Sequence, residues 1–255
     1  MAVGIVLAGR RNVGALRAAA PECAWEALIP IAGLPMAGHT IAALAGASEI
    51  TRVVVAGPAE LAGRGVERVE PGPRVSDTLR AALAAARRDA GGEELVVAAG
   101  DAPLLTSSAV AGLIAEARGR GLGLCYPLAR RAACEARFPG VRRTYVRIRE
   151  GSFTGGNCCY MRADAVDGVL GLLERLHADR KRPVRLARHL GWGVVWALLS
   201  GRARLRGLEA AASRLLGCPA GAWSCPDPGI GVDVDRPADL ELCRAVLGAG
   251  PGAGG

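Results

Sequence analysis

Three aspartates occupy positions where a carboxylate can do chemistry. Asp101 follows the apolar run Leu95-Val96-Val97-Ala98-Ala99 inside Gly100-Asp101-Ala102-Pro103-Leu104-Leu105. Asp233 and Asp235 alternate with valines in Ile230-Gly231-Val232-Asp233-Val234-Asp235. A short apolar run bounded by a turn signal predicts a buried parallel strand, and open α/β sheets bind ligands beyond the carboxyl ends of their strands. A carboxylate withdrawn from water there needs a compensating charge, and a divalent cation is a common one. Alone, Asp101 reads equally well as the cap of a helix starting near Thr106-Ser107. Asp235 alone reads better as the cap of the helix that Pro237 opens. Side chains alternate along an extended chain, so Asp233 and Asp235 share one face. Two such carboxylates with a third on another strand tip favour a hard-cation site over three unrelated caps.

A second constellation lies at the start of the chain. Ile5-Val6-Leu7-Ala8-Gly9-Arg10-Arg11-Asn12 reads as a strand feeding a glycine turn and a basic loop. Backbone N–H groups in such a loop can face phosphate oxygens, and arginine adds forked donors. Glu26-Ala27-Leu28-Ile29-Pro30-Ile31-Ala32-Gly33-Leu34-Pro35-Met36 reads alone as an apolar packing turn before a helix.

These residues need a scaffold, and the periodicities supply one. Ala2–Ala8, Arg52–Ala56, Leu95–Ala99 and Gly123–Leu128 read as strands. Thr40–Ala47, Asp77–Arg88 (after Ser76 as N-cap) and Ser107–Arg118 read as helices. That order predicts an α/β fold with a Rossmann-like, mostly parallel sheet covered by helices. Further on, Arg143–Arg149 and Thr154–Met161 read as strands, 163–217 as a largely helical, Arg-rich insertion, and Ala222–Val234 as extended chain. Arg236–Leu247 reads as a last helix and 248–255 as a disordered tail, so 1–247 is read as one domain.

Bulk properties narrow the classes. The chain has 255 residues, 51% hydrophobic and 22% charged, and a net charge of +8. Of its 32 basic residues only Lys181 is lysine. A basic balance suits a triphosphate or nucleic acid, but the arginines are scattered without interleaved aromatics, so nucleic acid is not expected. Eight cysteines show no C-x-x-C pair and no Cys/His ligand spacing, which fits reduced thiols in a cytoplasm. Met1–Leu7 lacks the charged start of a secretory leader, and the apolar stretch 191–199 is shorter than the about 20 residues of a membrane span. His39, His177 and His189 lack partners at ligand spacing. Trp192 and Trp196 read as core or interface. For the charged run Lys181–Arg188, a solvated helix flank is preferred over contact of 182–200 with an anionic membrane surface.

In order and spacing the segments resemble MobA-like NTP transferases, the nucleotidyltransferase family with a glycosyltransferase-A-like fold. The family includes molybdenum cofactor guanylyltransferase and sugar-phosphate nucleotidylyltransferases. The resemblance spans roughly 2–160 and 225–247 and rests on Leu7-Ala8-Gly9, Leu28-Ile29-Pro30-Ile31-Ala32-Gly33, Gly100-Asp101-Ala102-Pro103-Leu104-Leu105 and Gly231–Leu240. It implies Mg²⁺ (or Mn²⁺) on Asp101, Asp233 and Asp235. It also implies NTP binding by Leu7, Ala8, Gly9, Arg10, Arg11, Asn12, Ser76, Asp77, Thr78 and Gly100, with Asp101, Arg10 and Arg11 catalytic. Thr154-Gly155-Gly156-Asn157 looks like the strand that contacts the acceptor, which the resemblance implies to be phosphorylated. The implied reaction is attack of an acceptor phosphate oxygen on the α-phosphorus of an NTP, releasing pyrophosphate. Three departures stand out: Arg10 replaces the loop's second glycine, Glu26 stands where many members have a phosphate-binding lysine, and Leu34 replaces a basic residue. Arg10, Arg11 or Arg17 is then expected to supply the charge. Two other readings remain open, a non-catalytic nucleotide-binding or regulatory protein and a nucleotide-sugar-dependent glycosyltransferase.

Overall fold

A computed structural model describes residues 1–63, 65–88, 94–141, 143–179 and 191–249. Its centre is a nine-stranded sheet. The strands are β1 (Ala2–Leu7), β4 (Ile50–Ala56), β5 (Val66–Val69), β6 (Glu94–Ala99), β7 (Leu124–Arg130), β8 (Val146–Ile148), β9 (Gly151–Gly155), β10 (Cys158–Arg162) and β11 (Ala220–Cys225). They lie in the order β5-β4-β1-β6-β10-β7-β9-β8, with β11 also paired to β7. From the pairings, β9 and β10 run against the other seven strands, so the mostly parallel sheet expected from the alternating pattern is the one observed.

Helices cover both faces, and period-two alternation sorts the strand residues between them. Val53, Val55, Val96, Ala98, Cys158 and Tyr160 pack with α1 (Met36–Ala45) and α3 (Ser107–Gly119). Val54, Leu95, Val97, Cys159 and Met161 pack with α2 (Val75–Ala86) and α5 (Val166–Asp179). Cys158 and Cys159 therefore face opposite layers, as their adjacency on a strand requires. All eight cysteines are unpaired. No helix among the described residues is long and apolar enough to cross a membrane.

The remaining elements are β2 (Pro30–Ile31), β3 (Leu34–Pro35), α4 (Arg131–Arg137), α6 (Trp192–Leu199), α7 (Leu205–Leu216) and α8 (Pro237–Gly248). Several boundaries differ from the periodicity. Thr154–Met161 falls in two strands, β9 and β10, which run in the same direction antiparallel to β7 and are separated by a break at Gly156-Asn157 that shifts the register. Helix α2 begins at Val75 after Arg74, so Ser76 lies buried inside it rather than capping it. Extended chain ends at Cys225, and a 3-10 turn at Pro228–Gly231 follows. Trp196 is 61% exposed with Arg202 over its ring, so it is surface rather than core. His39 bonds the Ile31 carbonyl. The His177 and Trp192 side chains, the run Lys181–Arg188, His189 and residues 250–255 lie outside the described residues.

One ionic cluster ties the sheet to a helix. Arg118 donates to both oxygens of Glu94 (2.9 and 2.5 Å), and the buried Tyr160 hydroxyl donates to the same carboxylate at 2.8 Å. These bonds, the Arg118 guanidinium first, hold the Glu94 carboxyl down to about 2 from an ordinary value near 4.5. A carboxylate depressed in the folded state stabilises fully above its unfolded value and loses that contribution as pH falls through the folded one. Glu94→Gln is therefore expected to lower unfolding stability by about 1 kcal/mol at pH 7. Urea denaturation should show that difference shrinking from pH 4.5 towards 2.

Candidate active site

The site forms where parallel strands end together. Leu7 of β1 pairs in register with Ala99 of β6, and the Gly100 N–H donates to the Leu7 carbonyl at 2.9 Å. The loops bearing Gly9 and Asp101 thus leave the sheet side by side, at the carboxyl edge where open α/β folds place ligands. β10 begins at the same edge: the Asn157 carbonyl accepts from the Ala99 N–H at 2.8 Å, and the Asn157 N–H donates to the Ile230 carbonyl at 2.9 Å. That last bond brings the 230–235 segment over the sheet.

Asp101 is not a helix cap. Helix α3 starts six residues later, where the Thr106 hydroxyl accepts from the Ala109 N–H. The backbone around Asp101 is clamped on two sides. The wholly buried Thr40 hydroxyl of α1 donates to the Ala102 carbonyl at 3.1 Å, and the Val234 N–H donates to the Asp101 carbonyl at 2.9 Å. Burial pushes the Asp101 carboxyl above the ordinary carboxylate range. Its own backbone N–H opposes that, Asp235 adds to it, and Arg10 and Arg143 oppose it.

Residues 232–235 are not a strand, yet their alternation has the consequence expected of one. Val232 and Val234 are 2% and 0% exposed and pack on an apolar floor with Ile29, Ile31, Leu104 and Leu240, so Asp233 and Asp235 face away from it. Asp235 does not cap α8; Asp239 accepts from the Arg236 N–H at 3.0 Å there. Asp235 instead pairs with Arg10, Nη1 to Oδ1 at 2.8 Å. Asp233 pairs with Arg143, whose Nη2 also donates to the Asp233 carbonyl at 3.0 Å. Among the described residues no group of three His, Cys, Asp or Glu side chains is disposed to hold a metal ion.

The basic loop is differently organised from a simple phosphate cradle. A Cβ on Gly9 would lie 2.5 Å from Pro71, so only glycine lets β1 leave the sheet there. Arg10 reaches both Asp235 and Glu26, its Nε 3.1 Å from Glu26 Oε2. The Asp235 hydrogen bond is the main influence raising the Arg10 guanidinium. Glu26 points into the site and is only 3% exposed; burial raises its carboxyl, with Arg10 opposing. Arg11 lies over the Trp25 ring at 3.7 Å, and Arg17 donates to the Cys23 carbonyl at 3.2 Å. Asn12 turns inward: its amide donates to the Ala20 and Cys23 carbonyls at 2.9 and 3.0 Å, which ties the loop together rather than reaching a ligand. At the start of α2, Thr78 is buried and exchanges hydrogen bonds with Gly72, while Asp77 pairs with Arg74 at 3.6 Å.

Beside the carboxylates opens a cavity of about 360 Å³. Thr154, Gly155, Gly156 and Asn157, the segment read as acceptor-facing, line it together with Tyr126, Arg143, Asp233, Asp235 and Arg236. Gly155 lets Tyr126 lie close against the segment, since a Cβ there would stand 2.4 Å from the Tyr126 hydroxyl and push that side chain aside. Arg143, Tyr126, Thr40 and the inward Glu26 were not singled out as site residues from the sequence. Arg143 has no local signature among so many arginines.

With this geometry in view the comparisons are informative. The whole chain resembles a hypothetical transferase from Thermus thermophilus at 36% identity and a TM-score of 0.79, covering 94% of this chain and 100% of that one. The fold is shared with 2-C-methyl-D-erythritol 4-phosphate cytidylyltransferase, also from Thermus thermophilus (16% identity, TM-score 0.54, 96% and 98% covered). It is also shared with CMP:2-keto-3-deoxy-manno-octonic acid synthetase complexed with CTP (15%, TM-score 0.60, 97% and 98% covered). No curated protein matches the sequence. Residues 5–212, the greater part of the chain, match the MobA-like NTP transferase domain, and the protein belongs to that family of nucleotidyltransferases.

Proposed function

We propose that the protein transfers a nucleoside monophosphate from an NTP to a phosphorylated acceptor, with Mg²⁺ or Mn²⁺ held by Asp101 and Asp235. The observation that carries this is the Val234 N–H bond to the Asp101 carbonyl, which brings the segment bearing Asp235 beside Asp101 at the carboxyl edge of β1 and β6, where Asp235 lines a polar cavity. The residues fit such an ion. Burial first and then the charge of Asp235 raise the Asp101 carboxyl, a burden a cation would relieve, and Mg²⁺ is ordinarily held by one or two carboxylates with substrate phosphates and water completing the shell. When bound, the ion supplies neutralisation of charge at the α-phosphate and the attacking oxygen. Asp233 contributes differently, by fixing Arg143 at the edge of the cavity.

The protein's own work is positioning. The main chain of loop 9–11 and the Arg10 side chain hold the triphosphate, and Thr154–Asn157 with Tyr126 and Arg236 bound the acceptor. An acceptor phosphate oxygen then bonds to the α-phosphorus as the bond to the β-phosphate oxygen breaks, and pyrophosphate leaves with the electron pair. Holding both substrates in line replaces a bimolecular encounter, which is where enzymes of this reaction type gain most. The unpaired thiols support action in a reducing compartment such as the cytoplasm.

Thermal unfolding with Mg²⁺ and each of the four NTPs tests the first half. One NTP at a hundredfold excess over its Kd should add about 2.7 kcal/mol of apparent stability. That NTP should then release pyrophosphate on some member of a panel of phosphorylated sugars and alcohols. Stabilisation by nucleotide-sugars alone would establish the glycosyltransferase reading instead. NTP binding with no release across the panel would leave the non-catalytic one.

A further inference from the structure

We infer that Arg10 is a place-holding cation: it occupies Asp235 while no divalent ion is bound there. When the ion takes that carboxylate, the freed end of the guanidinium turns to the triphosphate, with buried Glu26 as the anchor. This rests on the cation site proposed above.

The two contacts of Arg10 differ in kind. Towards Asp235 the pair is open to water, with side chains 59% and 51% exposed, and such pairs exchange readily. Towards Glu26 one member is almost wholly withdrawn, its side chain 4% exposed. Glu26 Oε2 stands within ion-pair distance of Arg10 but accepts no aligned hydrogen bond from any described group. It is thus a buried carboxylate aimed at one cation, and removing that cation would strand its charge. The main chain reinforces the anchor, because the Glu26 N–H donates to the Arg10 carbonyl at 3.2 Å. The buried link to Glu26 therefore persists when the exposed link to Asp235 breaks. A guanidinium carries five N–H donors, so giving up Asp235 frees a fork for phosphate oxygens while Nε remains with Glu26. The device explains why an inward carboxylate and a basic loop residue coexist at one phosphate site. Neither is an isolated charge.

The test measures binding rather than turnover. Mn²⁺ alone is titrated by electron paramagnetic resonance into the wild type, Arg10→Ala, Arg10→Lys and Asp235→Asn. The Mn²⁺–tripolyphosphate complex is titrated by calorimetry into the same proteins and Glu26→Gln. Arg10→Ala should bind Mn²⁺ alone about fivefold tighter than wild type, because a competitor for Asp235 is gone. It should bind the tripolyphosphate complex about tenfold weaker, and Glu26→Gln should share that second loss. Arg10→Lys, whose single ammonium spans only one partner, should fall between wild type and Arg10→Ala for Mn²⁺. Unchanged or weaker Mn²⁺ binding by Arg10→Ala, with Asp235→Asn still impaired, overturns the inference and leaves the cation site standing. No Mn²⁺ bound by any protein, with or without tripolyphosphate, overturns both.

Discussion

Asp101→Asn is expected to lower the rate of pyrophosphate release on the order of 10³-fold, while its thermal midpoint is no lower than that of the wild type. The two halves have one cause. Asp101 is a partly buried carboxylate, raised by that burial and by Asp235, so its negative charge is a burden on the fold. Asparagine keeps the shape and removes the burden. The backbone clamps also survive the change, because Thr40 and Val234 reach the Ala102 and Asp101 carbonyls rather than the Asp101 carboxylate. What disappears is the oxygen charge needed opposite a cation on the α-phosphate. A structural aspartate would behave in the opposite way, losing midpoint before rate. Differential scanning calorimetry beside a coupled pyrophosphate assay separates the two. Activity within tenfold of wild type would exclude Asp101 from the chemistry.

How far the sequence disclosed this site depends on how local each signal was. Asp101 was legible because a five-residue apolar run and a turn mark a strand end, and strand ends of parallel sheets are where ligands go. Asp233 and Asp235 were legible through their valine partners: the floor buries Val232 and Val234, which forces the aspartates to one side even without a strand. The competing helix-cap readings failed for reasons outside the motif. Thr106 caps α3, and Asp239 reaches back to cap α8. The run through 154–161 concealed the break at Gly156-Asn157, because β9 and β10 run the same way along β7 and read as one continuous strand. Least legible were the charge pairings. Arg10 meets Asp235 across 225 positions and Arg143 meets Asp233 across 90, and no period or turn rule reaches that far. Of the three arginines expected to supply charge, the fold commits Arg11 to Trp25 and Arg17 to a carbonyl.

Arg143→Ala is expected to lower kcat/KM about 10²-fold and unfolding stability by about 2–3 kcal/mol together. Its side chain is 10% exposed and grips Asp233 twice, at the carboxylate and at the carbonyl. The grip holds the 232–235 segment in the place where Val234 bonds Asp101, and thereby fixes Asp235 relative to Asp101. Truncation leaves Asp233, itself only 28% exposed at its side chain, without the cation that neutralises it. It also frees the segment to drift, and a misplacement of about 1 Å at a phosphoryl-transfer site costs about as much rate as is predicted here. Asp233→Ala then decides between two roles for that residue. If Asp233 serves as the partner of Arg143, its removal strands the arginine and reproduces the Arg143→Ala result, with rate and stability falling together. If Asp233 ligates the cation directly, Asp233→Ala follows Asp101→Asn in losing on the order of 10³ in rate. Urea denaturation and kcat/KM measured on the three variants distinguish these patterns, and the geometry favours the first. The Arg143 fork holds one carboxylate oxygen and the main-chain carbonyl of Asp233 at once, a two-point grip that makes this aspartate the arginine's partner.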